Sequence, residues 1–266
     1  MLVKGAGELA GPFFIDHSRW VVLPPVLRTF AYNLSIMKTA IVTGASGNLG
    51  QEVIKKFLVE GYSVVGAIIP NDPVKLNIDD PNFQAVVADL MNEDASAKFV
   101  EEIISKNGQL DVAVLTVGGF AMGGIAETKT ADILKQYKLN FETAYNVARP
   151  VFMQMMKQES GGRIFLVGSR TAIDMRNSKA TFAYGLSKSL VFRLGELLNE
   201  SAKGHNVVTS VIAPSTIDTP QNRQSMPDAD FSKWVSPGSI ADIIYYYSSE
   251  KGKVIREPVI KVYGDA

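Results

Sequence analysis

From Thr39 onward the chain alternates short runs rich in Val, Ile and Thr with longer stretches whose apolar residues recur three or four positions apart. Strands separated by stretches of that length pair in parallel, because each helical stretch carries the backbone back to the starting edge of the sheet. The predicted strands are Thr39 to Thr43, Ser63 to Ile69, Gln84 to Ala88, Val112 to Val117, Arg163 to Val167, Val207 to Ala213 and Val259 to Tyr263. Between them the spacing predicts helices over Leu49 to Glu60, Ala95 to Lys106, Ala131 to Gln158, Tyr184 to Lys203 and Ser239 to Glu250. The expected fold class is α/β, a single doubly wound parallel sheet with helices on both faces. Such sheets bind ligands where their strands end, so the loops after those strands should carry the chemistry.

Residues 1–36 break the pattern, mixing Gly5, Gly7, Gly11, Trp20, Pro24-Pro25 and Phe30 without a sustained period. They read as an N-terminal extension outside the fold, and residues 37–266 as one domain without an internal repeat or linker. Met37-Lys38 leads straight into the first strand, so a natural start at Met37 is expected; a tail without function is the alternative. The extension has no continuous apolar core for a secretory signal, and Glu8 and Asp16 argue against a transit peptide.

Bulk properties exclude several classes of function. Lys+Arg and Asp+Glu both number 27 in 266 residues, so the chain has zero formal charge and no basic stripe for a phosphate backbone; nucleic acid is not an expected partner. There is no cysteine, and His17 and His205 stand far apart, so neither a disulfide nor an evident metal site is expected. No apolar run reaches the roughly 18 residues of a membrane span, and a cytoplasmic protein is the default reading.

The segment Thr43-Gly44-Ala45-Ser46-Gly47-Asn48-Leu49-Gly50 follows the first strand and opens the first helix. Backbone N–H groups and the helix dipole at such a junction hold a pyrophosphate, and the glycines allow the turn and the close approach. Gly44, Ser46, Gly47, Asn48, Leu49 and Gly50 are therefore candidate dinucleotide contacts. Asp89-Leu90, after the third strand, could border an adenine ring or begin a helix cap. Gly118, with Gly119, Gly123 and Gly124 in the loop after the fourth strand, reads either as backbone passing close to a ligand or as simple loop flexibility. The end of the second strand, Ile68-Ile69-Pro70-Asn71, offers neither a carboxylate for a free ribose nor a base for a 2′-phosphate, and leaves NAD and NADP open.

Tyr184 and Lys188 lie four apart at the start of a predicted helix, on one face. Tyr247 and Lys251 share the spacing, but Tyr247 falls late in an apolar helix and reads as packing. An ammonium beside a phenol would lower its pKa from about 10 and suit it to acid and base work at neutral pH. Ser169, at the end of the fifth strand, is the hydroxyl best placed to polarise a carbonyl, with Thr171 as its rival. Asn140 could bond a water linked to Lys188, or be a helix-capping residue.

These residues together resemble the short-chain dehydrogenase/reductase family, from about Thr39 to the end of the chain. The resemblance implies a Rossmann-type fold, with Thr43 to Gly50 as the phosphate turn, Asp89 beside the adenine, and Asn140, Ser169, Tyr184 and Lys188 as the catalytic set. It also implies that Ala213 to Pro220, with Pro214, Ile217 and Thr219, contacts the nicotinamide carboxamide. The family's Ser-to-Tyr spacing is slightly shorter, which points to an insertion around Met175 to Lys179. Within the family, Gly44, Gly47 and Gly50, the run Val114 to Phe120, and Asp218 to Trp234 look most like the quinonoid dihydropteridine reductase branch. That branch typically lacks the Ser found at Ser169 and carries Asp where this chain has Ile68. Assembly through the two long helices as a dimer or tetramer is implied as well.

The resulting expectation is an NAD(P)-dependent oxidoreductase acting on a small carbonyl, alcohol or quinonoid pterin-like molecule. In it Lys188 lowers the pKa of Tyr184 and holds the ribose, Ser169 polarises the substrate and Asn140 supports the relay. A non-catalytic dinucleotide sensor or scaffold is the alternative. A sugar-nucleotide epimerase is disfavoured by the short chain after Pro214. Gln221 to Trp234 is expected to form a mobile lid, against the alternative of a plain surface loop.

Overall fold

The computed structural model describes residues 37–265 apart from Lys75, Met175 and Asn177, so the expectations for residues 1–36 lie outside the described residues. All seven predicted strands form: β1 Thr39–Thr43, β2 Ser63–Ile68, β3 Phe83–Val87, β4 Val112–Leu115, β5 Gly162–Val167, β6 Val207–Pro214 and β7 Val259–Val262. Every pairing is parallel, and the order across the sheet is β3-β2-β1-β4-β5-β6-β7. The winding reverses between β1 and β4, where Thr43 stands level with Ala67 of β2 and Leu115 of β4. A crevice therefore opens above the end of β1, the place where such sheets hold ligands.

The connecting helices are α1 Asn48–Val59, α2 Glu93–Asn107, α3 Thr130–Tyr137, α4 Thr143–Met155, α5 Phe182–Ser201, α6 Pro220–Ser225 and α7 Pro237–Ser248. Strands buried on both faces read as unbroken apolar runs, as in β1 and β4, where every residue is buried. Alternate side chains feed two cores. Ile41, Ala113, Ile164 and Val211 pack with Val100 of α2, Val147 of α4 and Val191 of α5. Ala40, Val42, Val114 and Phe165 pack with Ile54 and Phe57 of α1 and Ile244 of α7.

One helix predicted over Ala131 to Gln158 is three pieces. A π-helical turn, Lys138–Glu142, joins α3 to α4 and has Asn140 at its centre. Such turns insert one residue into the helical ladder and re-aim the side chain they carry.

Candidate active site

The crevice begins with the turn after β1. Gly44 is left-handed at φ 64°, and a Cβ there would lie 2.8 Å from Thr116 Oγ1. The Gly47 N–H donates to the Gly44 carbonyl at 3.0 Å, closing the turn, and Gly47 then caps α1 without a side-chain hydrogen bond. The first N–H groups of α1 therefore keep their donors for a ligand. At Gly50 a Cβ would stand 2.2 Å from the Gly44 carbonyl oxygen, so the helix can seat against the turn only with glycine. Above it lies a cavity of about 370 Å³ whose walls include Gly44, Ser46, Gly47, Asn48, Leu49 and Gly50. Asp89, Leu90, Gly118, Ile217 and Thr219 complete the predicted set on those walls. Asp89 does not cap α2; that is Asn92, whose side chain accepts from the Ala95 N–H, while Asp89 accepts from Met91 and borders the cavity.

A second cavity of about 920 Å³ shares Leu49, Thr116, Gly118 and Ile217 with the first and reaches Ser169, Tyr184, Lys188 and Pro214. Tyr184 and Lys188 sit in the first turns of α5. The start of that helix is pinned to the Gly-rich loop by two backbone bonds of 2.8 Å, from the Gly123 N–H to Ala180 and from the Phe182 N–H to Gly123. Phe120, from the same loop, sets its ring at 69° to Tyr184 with centroids 5.0 Å apart.

One expectation about this centre needs correction. Burial pushes the Tyr184 phenol above its ordinary value, and a hydrogen bond with Ser169 pulls in the other direction. Lys188 is not among the causes of that shift, and it is itself stripped of water. At 4% exposure it donates to the Val167 carbonyl at 2.8 Å, and burial brings its pKa down to about 8. The hydroxyls of Ser169 and Thr171 share a 2.6 Å hydrogen bond, and both border the cavity.

Asn140 is buried beside this centre, not on a cavity wall. Its Oδ1 accepts from the Gly119 N–H at 2.8 Å, and its Nδ2 faces the Gly119 carbonyl at 3.0 Å, Gln136 at 2.8 Å and Ser187 at 3.0 Å. A Cβ on Gly118 would fall 2.7 Å from Asn140 Oδ1 and 2.9 Å from Lys188 Nζ. Gly118 thus lets Asn140 and Lys188 converge on one stretch of backbone, a stricter demand than loop flexibility.

Residues 38–230 match the family model for short chain dehydrogenases. The chain belongs to this family. As a short-chain dehydrogenase it is an oxidoreductase that uses NAD or NADP. The bare helix N-terminus, the glycine turn and the apolar walls at Ala67 and Leu90 fit a dinucleotide. Among relatives, acetoacetyl-CoA reductase of Acinetobacter sp. (strain RA3849) is 24% identical over 246 residues, covering 87% of this chain and 98% of that protein. Dihydropteridine reductase of Dictyostelium discoideum is 26% identical over 215 residues, covering 80% and 88%. The pterin-reductase likeness is therefore one of several. A blue fluorescent protein from a metagenomic library, solved in complex with NADPH, shares the fold with a TM-score of 0.75 and 20% identity, over 86% of this chain and 97% of that one.

Sequence reasoning missed two residues that border these cavities. Thr116 lies on both cavities and donates its hydroxyl to the Thr43 carbonyl at 2.7 Å. Asp72 returns to the phosphate turn, where its Oδ2 accepts from the Ser46 hydroxyl at 2.5 Å. The available signal was the turn-forming run Asn71-Asp72-Pro73, in which Asn71 adopts φ 59°. Among the described residues no group of three or more His, Asp or Glu could hold a metal ion, and no helix is long and apolar enough to cross a membrane.

Proposed function

We propose that the protein interconverts a carbonyl and an alcohol, or reduces a quinonoid pterin-like ring, on a small molecule held in the larger cavity. The observation that carries this reading is the Tyr184 phenol, one helical turn from Lys188 and bordering the same cavity as Ser169, a cavity that shares walls with the nucleotide cradle. Bound NAD(P) supplies or accepts the hydride. Tyr184 gives a proton to the substrate heteroatom, and its raised pKa keeps that proton in place at neutral pH, which suits the reducing direction. Ser169 steadies the charge developing on that heteroatom, and Thr171 fixes the rotor of Ser169 through their shared bond. Asn140 positions the Gly118-Gly119 backbone. Pro214, Ile217 and Thr219, which border the two cavities at and after the end of β6, contact the nicotinamide carboxamide in this reading.

Assembly into a homodimer or homotetramer belongs to the same reading. Leu186, Leu190 and Leu197 form a stripe along α5, exposed to 45%, 39% and 66%.

The decisive variant is Tyr184→Phe. It should retain dinucleotide binding, measured by calorimetry, and lose roughly two to four orders of magnitude in turnover of reduced nicotinamide on a panel of ketones, aldehydes and quinonoid pterins. Unchanged turnover removes Tyr184 from the mechanism. Tight nucleotide binding by the wild type without turnover of any substrate would support the sensor instead.

A further inference from the structure

We propose that Asp72 makes the nucleotide cradle selective for NAD(H), by holding a carboxylate where a 2′-phosphate would have to lie. The inference rests on the cofactor reading above and adds which of the two dinucleotides the site accepts.

The topology fixes the direction. Tyr184 and Ser169 lie on the β5 side of β1, whereas β2 lies on the other side. A dinucleotide with its nicotinamide at Tyr184 and its pyrophosphate at α1 therefore runs its adenosine ribose toward the end of β2. The strand itself ends in Ile68 and offers nothing to a ribose. Asn71, left-handed at φ 59°, turns the chain back, and Asp72 then reaches the phosphate turn from outside the strand. Its two oxygens are held separately: Oδ2 accepts from Ser46 at 2.5 Å, and Oδ1 accepts from the Val74 N–H at 2.9 Å. Asp72, Ser46, Ile68 and Ile69 all border the cavity.

The charge of that cavity points the same way. Among the described residues its walls carry two carboxylates, Asp72 and Asp89, and no lysine, arginine or histidine. A ribose with free hydroxyls can donate to a carboxylate. A phosphate monoester brings roughly −1.5 to −2 charges at neutral pH and only acceptor oxygens, so it meets repulsion and no donor at Asp72. The bonds from Ser46 and Val74 hold the Asp72 carboxyl below its ordinary value, which keeps it charged at neutral pH.

The test is equilibrium titration of the full chain with NADH and with NADPH, followed by nucleotide fluorescence. The wild type should bind NADH roughly ten- to a hundredfold more tightly, the range that charges a few ångströms apart in a wet site produce. Asp72→Asn, which keeps the shape, should narrow the ratio by most of that factor, and added salt should narrow it in the wild type but not in the variant. Lys75 follows closely in sequence and lies outside the described residues; Lys75→Ala should leave the preference for NADH. Tighter or equal binding of NADPH by the wild type, or an unchanged ratio in Asp72→Asn, overturns the inference while leaving the oxidoreductase reading intact. Failure of both nucleotides to bind overturns both.

Discussion

Lys188 shows how much stability a reactive centre gives up at one residue. A buried amine is disfavoured in its charged form, and Lys188, with its pKa brought down to about 8 from the ordinary 10.5, is neutral in the fold over a range where the unfolded chain still holds the proton. Its contribution to stability is thus fully present above 10.5 and is lost as pH falls through about 8. Lys188→Met should therefore be more stable to denaturant than the wild type near neutral pH, by about 3 kcal/mol for a gap of this size, with the advantage shrinking toward pH 10. A difference that does not change with pH would show that the amine is solvated. At this scale the sequence was legible where spacing carries the information. Tyr184 and Lys188 are one turn apart, and the Gly-rich turn stands between a strand and a helix. It was not legible where contacts cross the chain. Asp72 meets Ser46 from 26 positions away, and the Ser169–Thr171 bond depends on how the chain bends after β5.

Elements show the same division. Each predicted strand forms within one or two residues of its expected limits, and in β1, β4 and β6 two-sided burial writes an apolar run into the sequence. The π turn left no such trace: its extra residue barely disturbs an apolar periodicity, and the bonds of Asn140 that exploit it come from Gly119 and Ser187. The segment expected as a lid leaves the core and returns to where it started. Val235 bonds both Thr216 and Asp218, so the residues between form an excursion closed at its base. Within it α6 is tied to the phosphate turn by a 2.8 Å bond from Asn48 to Gln221, while Phe231 and Trp234 pack ring to ring at 4.8 Å. Met226, 40% exposed, and Asn222 border the substrate side of the cavity. Replacing Met226 and Trp234 together by alanine should raise KM about three- to tenfold and lower the melting temperature by only a few degrees. A large drop in melting temperature with unchanged kinetic constants would make the segment packing and not a lid.

At the scale of the whole molecule, alternation of strand and helix was enough for a doubly wound sheet, but the order of its strands needed the structure. The reversal between β1 and β4 is what sets nucleotide cradle and proton donor side by side. The exposed stripe on α5 belongs to this scale too. Leu190→Glu with Leu197→Glu should shift a dimer or tetramer to monomer in size-exclusion chromatography with light scattering, at unchanged far-ultraviolet circular dichroism. A wild type that elutes as a monomer would remove the proposed assembly. The backbone bridge between Gly123 and the start of α5 has a consequence for how this enzyme could be retargeted. Because the loop that faces the substrate and the helix that carries Tyr184 are stitched together, a foreign loop grafted between Gly118 and Gly124 would bring new side chains to the substrate and also tilt the acid against it. Redesign of selectivity here has to treat the Gly123 register as a fixed joint and vary only what hangs from it.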